Sequence, residues 1–293
     1  MKFSHLIAFL STLLLLLAGA SSCSKKDCAN TEKIKLLVSI APYQTIVQRI
    51  AGDEFEIVTV VPPNVNPHTY EPTSKQAASL QNGAVWFQIG EPFEKKLHYL
   101  LRTTRNVDLR ASASMIETQA HHCEGCGQDH LDRHIWLSPR QTALQAEQIG
   151  AVLQEMYPTQ ADAIALRLAQ LQADLIELDE EITTRIQDVP ARTFLVSHPA
   201  FAYFCRDYGL QQLAVEHEGK DPRPKDLEII FQSALRQQTE VAIALPQHNN
   251  KGAQLIAEKL RIPIRIIDPY SAQYFETIRA LANLIANPYQ NDE

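Results

Sequence analysis

Four residues, far apart in this chain, share a setting that suits metal chemistry. His68 lies in Asn66-Pro67-His68-Thr69-Tyr70-Glu71-Pro72, His134 in His134-Ile135-Trp136-Leu137-Ser138-Pro139, His198 in Ser197-His198-Pro199, and Asp268 in Ile266-Ile267-Asp268-Pro269-Tyr270. Each falls where a strand-like apolar run stops or a structured turn begins. Singly they have plainer readings: a turn residue, a cap partner, a core histidine and a helix N-cap, in that order. As a set, three imidazoles and one carboxylate complete a four-coordinate shell for a divalent cation. Zn2+ suits it best, taking tetrahedral N, O and S ligands at about 2.0–2.2 Å. Mn2+ leans toward oxygen, and affinity order alone excludes neither it nor iron. A shell filled by protein leaves no position for a reactive water, which favours capture and carriage over catalysis.

A second group of ligand-type residues occupies His121-His122-Cys123-Glu124-Gly125-Cys126-Gly127-Gln128-Asp129-His130. His121, His122, Cys123, Cys126 and His130 offer soft and borderline ligands for an auxiliary metal site. The alternative is a Cys123–Cys126 disulfide closing an exposed turn. A redox centre is disfavoured, because no strand-to-helix context precedes the Cys-x-x-Cys. Cys205, in an apolar run, reads as a buried thiol, and its pairing with Cys28, Cys123 or Cys126 stays open. His98, His217 and His248 belong to no such constellation and read as surface or packing residues.

Residues this scattered need a scaffold that returns the chain repeatedly to one place. Strand-like runs at 35–40, 55–61, 84–89 and 107–109 alternate with helical periods at 43–51, 74–80 and 93–101. Near-continuous apolar strands between helices imply βαβ units and a parallel sheet. The alternation stops at a polar loop, 112–133, and two helices follow at 141–156 and 161–186. In the second, Ile164, Leu168, Leu171, Leu175, Leu178 and Ile182 recur at steps of four and three, one apolar stripe on a helix about 40 Å long. A coiled-coil dimer competes for that stripe but needs more heptads. Strands at 193–196, 212–215, 241–245 and 264–267 then alternate with helices at 199–208, 224–236, 253–260 and from 272. The expectation is an α/β protein of two lobes, each with a mostly parallel four-stranded sheet flanked by helices, joined by a long rigid helix. The lobes span 34–140 and 190–293, with a helical segment at 141–189. Ligands of open parallel sheets sit beyond the carboxyl ends of the strands, where the four residues fall.

The first residues read as an export signal. Lys2, an apolar run through five leucines at 13–17, and Ala18-Gly19-Ala20-Ser21-Ser22-Cys23 have the parts of a signal peptide over 1–22. Cys23 after small residues suits a lipidated cysteine, with 23–33 as a tether, although Ala20 stands where that pattern prefers leucine. At 293 residues, 45% hydrophobic, with a formal net charge of −7, the chain is a globular protein poorly suited to nucleic acid, which wants clustered Lys and Arg.

The ordered motifs Pro63-Asn64-Val65-Asn66-Pro67-His68-Thr69-Tyr70-Glu71-Pro72-Thr73, His134 to Pro139, Ser197-His198-Pro199-Ala200-Phe201-Ala202-Tyr203-Phe204, Glu218-Gly219-Lys220-Asp221-Pro222 and Ile267-Asp268-Pro269 resemble those of the zinc/manganese solute-binding lipoproteins of bacterial metal ABC transporters (cluster A-I, zinc branch). The likeness runs from about Leu36 to about Asn283. It implies a monomeric, exported protein, held at the membrane by lipidated Cys23, that captures a metal between two lobes and delivers it to a transmembrane permease. On the matching motifs it implies His68, His134, His198 and Asp268 as ligands. Manganese relatives often carry Glu at the position of His198, so His tilts the expectation to zinc. The competing class, a zinc-dependent hydrolase, needs a general base beside an open metal position. Glu71 and Glu218 are the only motif carboxylates nearby, and no His-Glu-x-x-His occurs. A surface adhesin, a label the family has sometimes received, finds no adhesive repeats here.

Overall fold

The first sheet begins with a strand whose last three residues, Leu36, Leu37 and Val38, have no solvent exposure. In a computed structural model describing residues 33–117, 131–216 and 222–290, this strand, β1 (Ile34–Val38), lies between β2 (Phe55–Thr59) and β3 (Val85–Gln88), with β4 (Arg105–Asp108) outside β3. All pairings are parallel: Leu36 stands opposite both Ile57 and Val85. The second sheet repeats the arrangement with β5 (Thr193–Val196), β6 (Gln211–Ala214), β7 (Ala242–Ala244) and β8 (Ile264–Ile266), in order β6-β5-β7-β8 and again all parallel. Strands covered by helices on both sides become apolar throughout rather than alternating; Val85 to Gln88 and Thr193 to Val196 are all buried.

The covering helices are α1 (Pro42–Ala51), α2 (Ser74–Ser79), α3 (Pro92–Leu97), α4 (Pro139–Met156), α5 (Ala161–Ile186), α6 (Ala202–Tyr208), α7 (Pro224–Arg236), α8 (Lys251–Leu260) and α9 (Tyr274–Ala286). α5 is the long connecting helix. Its buried side is Ile164, Leu171, Leu175, Leu178, Ile182 and Ile186, and it packs on α4, α1 and α9, so it touches helices from both halves of the chain. Leu168 of the expected stripe is half-buried. Because this apolar side is consumed inside the chain, none of it is left as a coiled-coil seam. Arg140–Asp179 and Arg279–Glu181 pairs tie α4 and α9 to α5 at 2.8 and 2.7 Å. Arg167 of α5 donates to the Ile50 and Ala51 carbonyls at the open end of α1. Gly52 closes that helix at φ +90°, which a side chain would strain, and a Cβ there would meet Arg167.

One boundary differs usefully from the sequence expectation. The helix after β5 starts at Ala202 rather than Pro199, and the Ala200 N–H bonds the His198 carbonyl at 2.9 Å in a tight turn instead. That leaves His198 in an irregular turn at the strand's end, with Phe201 N–H donating to Gln212 Oε1 at 2.8 Å. Residues 1–32, which hold the expected signal, Cys23 and Cys28, lie outside the described residues, as do His121, His122, Cys123, Cys126 and His130, together with His217 and Glu218. Cys205 is buried and free, and burial pushes its thiol pKa well up. Among the described residues no helix is long and apolar enough to cross a membrane.

Candidate metal centre

Three of the four sequence-predicted residues converge. His68 follows β2 in a turn fixed by its own N–H donating to Asn66 Oδ1 at 2.9 Å, a local bond Asn supplies readily. His134 opens the short 3₁₀ turn Ile135–Leu137, and Asp132 Oδ1 takes both its backbone N–H and its ring Nδ1, at 2.9 and 2.8 Å. His198 leaves the end of β5. The His68 ring centroid is 5.1 Å from that of His134 and 5.1 Å from that of His198; His134 and His198 are 5.2 Å apart.

For the fourth predicted residue, the contacts found involve one carboxylate oxygen. Asp268 Oδ1 accepts from Gln247 Nε2 and from the Tyr270 N–H, each at 2.9 Å. A further imidazole, read from the sequence as a surface or packing residue, stands beside these three. His248 stacks on His198 at 3.8 Å between centroids, and the ligand atoms of His68, His198 and His248 all lie within 4.8 Å of one another. The missed signal was positional. His248 follows β7 just as His198 follows β5, and these neighbouring strands flank the sheet's crossover point, where ligands of open sheets bind. His98 is an exposed residue whose ring stands edge-on to Trp86 and bonds Gln88.

A carboxylate stands beside every ring. His68 Nδ1 sits 3.0 and 3.1 Å from the two oxygens of Glu91, which is fully buried. Asp132 holds His134. Glu216, just beyond β6, stands 3.2 Å from His198 Nδ1 and 3.1 Å from His248 Nδ1. An ionised carboxylate only accepts, so Nδ1 of His68, His134 and His248 keeps the proton and Nε2 carries a lone pair, the arrangement of carboxylate–histidine–metal sites; His198 Nδ1 lies near Glu216 without a hydrogen bond. His68 Nε2 and His134 Nε2 lie 3.2 Å apart, near the roughly 3.3 Å between two ligands of a tetrahedral zinc at about 2.0–2.1 Å. Nε2 of His198 and of His248 is buried with no hydrogen-bond partner. Tyr270 Oη closes the cluster, 3.4 Å from Nε2 of both His68 and His134. Glu71 is turned outward to Lys96, away from a base's position.

Titration of these groups makes stability depend on pH in a defined way. Burial, opposed by Glu216 and reinforced by the other three histidines, holds His198 down to about 3 from 6.5. Burial pushes Glu216 up, but His198 and His248 outweigh it and bring it down to about 2. Both contributions are present above the unfolded values and are lost as pH falls through the folded ones. Two groups have the opposite sign. Burial lifts Glu94 from 4.5 to about 7 against three hydrogen bonds, and Glu91 raises His68 despite its burial; their contributions are lost as pH rises. Each group has a slope of about 1.4 kcal/mol per pH unit. Between about 4.5 and 6.5 His198 and Glu94 cancel. The metal-free protein should therefore show a nearly level urea midpoint across that window and a steep loss below about 4.5. A midpoint that falls steadily from pH 6.5 would show that the Glu94 carboxyl is not held protonated.

The profile of the family described as ZnuA, zinc-uptake complex component A, periplasmic, matches residues 36–287. This chain belongs to that family. A putative metal-binding protein of Chlamydia trachomatis serovar D is 32% identical over 94% of this chain and 98% of its own length. The zinc-binding lipoprotein AdcA of Streptococcus pneumoniae is 24% identical over 97% of this chain, which spans 58% of that longer protein. A crystal structure of ZnuA superposes with a TM-score of 0.82 at 31% identity, covering 88% of this chain and all of the other. The family consists of periplasmic solute-binding components of metal import, not of enzymes.

Proposed function

We propose that this protein captures a divalent transition metal, zinc foremost, in the histidine cluster and delivers it to the permease of an ABC importer. The observation that carries the reading is the cluster of imidazoles in which His68 Nε2 and His134 Nε2 lie 3.2 Å apart and Nε2 of His198 and of His248 is buried without a partner. Such an arrangement is unfavourable when empty of positive charge and becomes favourable around a cation. His68, His134 and His198 are the proposed constant ligands; Asp268 and His248 compete for the fourth position. Three nitrogens favour zinc over manganese, which leans toward oxygen ligands, while iron stands lower than zinc in general affinity. Membrane attachment through lipidated Cys23, a monomeric state, and lobes at 34–140 and 190–293 about a helical segment at 141–189 complete the proposal.

Elemental analysis of protein purified without added metal, joined to competition titration with a chromogenic chelator, tests it. The expected result is about one zinc per chain, with manganese and iron(II) bound more weakly by at least about tenfold. Protein that takes up no transition metal, or prefers manganese, would refute the assignment. Delivery is tested in cells: loss of the chain should lower zinc accumulation under chelator, and wild-type protein should restore it.

A further inference from the structure

We infer that His248 rather than Asp268 supplies the fourth metal-binding atom, making the centre a cage of four imidazoles. The inference rests on the metal-capture reading above and deepens it by naming what sets selectivity. The His248 side chain is only 3% exposed. Its ring lies over His198, tilted by 21°, its Nδ1 is taken by Glu216 Oε2 at 3.1 Å, and its Nε2 is buried and unpartnered. A buried polar nitrogen without a partner is costly unless something fills its lone pair. The same is true of His198 Nε2; both residues group with His68, one ring nitrogen of each lying within 4.8 Å of the others, and His134 joins through His68, their Nε2 atoms 3.2 Å apart.

Glu216 stands beside both imidazoles. One oxygen lies 3.2 Å from His198 Nδ1 without a hydrogen bond, and the other bonds His248 Nδ1, so a single carboxylate places negative charge behind two rings from neighbouring strands. The turn that carries His248 is also fixed. Asn250 Nδ2 donates to the carbonyls of Leu245 and His248 at 3.0 and 3.1 Å, and Ser197 Oγ, beside His198, accepts from Leu245 N–H at 3.1 Å. Asp268 contributes to this fixation. Its Oδ1 receives Gln247, the residue before His248, and the Tyr270 N–H, so it holds the ligand-bearing turn against the Tyr270 loop. With Glu91, Asp132 and Glu216 behind the rings, the cation's charge is balanced without an oxygen in direct contact.

Four nitrogens and no protein oxygen favour zinc and other imidazole-seeking ions, and disfavour manganese. His248 is thus a selectivity residue. X-ray absorption at the zinc edge on the loaded full chain should count four imidazoles, falling to three plus one oxygen in His248→Phe. Phenylalanine preserves the stacking on His198, and His248→Gln provides a second variant; metal-free thermal midpoints verify folding. Zinc affinity should drop by about 10²-fold in both variants, as expected for the loss of one of four ligands. Manganese affinity should change far less, so the zinc preference narrows. Asp268→Asn should keep all four imidazoles. Three imidazoles and one oxygen in wild type, unchanged by His248→Phe and altered by Asp268→Asn, would overturn the inference while leaving metal capture standing. A wild-type chain that takes no zinc would overturn both.

Discussion

Replacing His68 by alanine should lower zinc affinity by about two to three orders of magnitude. A structural zinc site is worth about 10–16 kcal/mol at pH 7, and an equal quarter of that is a factor of about 60 to 700. His68 is the best single position, because its side chain is 23% exposed and its loss removes little core. Its carboxylate partner provides a graded control. Glu91→Gln keeps the ligand but weakens the bond that aims it, and such outer partners are worth about 10–100-fold in metal affinity. The expected order is therefore wild type, then Glu91→Gln, then His68→Ala, measured by competition with a chelator of known affinity. Wild-type affinity in His68→Ala would remove His68 from the shell and, with it, the convergence of the two halves on one ion.

The largest stability effect is expected at Trp136. Its ring is 1% exposed, lies edge-on to Tyr43 at 6.4 Å and beside Tyr270 at 5.5 Å, and contacts His134 at 5.4 Å. Its indole N–H donates to the Pro269 carbonyl at 2.8 Å, across 133 residues of sequence. Trp136→Ala should cost about 3–5 kcal/mol in urea unfolding, the range for deleting a buried large aromatic. Trp136→Phe retains most of the packing and loses the hydrogen bond, leaving a carbonyl unpaired at about 1–3 kcal/mol. The alanine variant should also bind zinc more weakly, because Trp136 packs against both His134 and Tyr270. A cost below about 1 kcal/mol in Trp136→Ala would mean that this contact is not part of the cooperative core.

The two variants probe different halves of one design. His68 tests what the converging rings do to a cation, and Trp136 tests what brings the rings together. Since metal binds only the folded chain, added zinc should raise the midpoints of wild type and Trp136→Phe far more than that of His68→Ala.

Several features could be read directly from residues in order. Continuous apolar runs such as Leu36-Leu37-Val38 predicted buried parallel strands, and the stripe from Ile164 to Ile182 predicted the connecting helix, because burial on both faces and on one face leave different periods. His68, His134 and His198 stood out because strand ends in such sheets are where ligands bind. Three things were settled only by the folded arrangement. His248 had no local motif, and its partner Glu216 is 32 residues away. Asp268 sits at a strand end, yet its contacts are with Gln247 and Tyr270. The orienting carboxylates Glu91, Asp132 and Glu216 are unremarkable in sequence and meaningful only beside an imidazole. Periodicity records which side of an element is buried, and it is a property of neighbours along the chain. Ligand geometry depends on distances of about 3 Å between groups on separate loops, and only the packing of both sheets against shared helices fixes those distances.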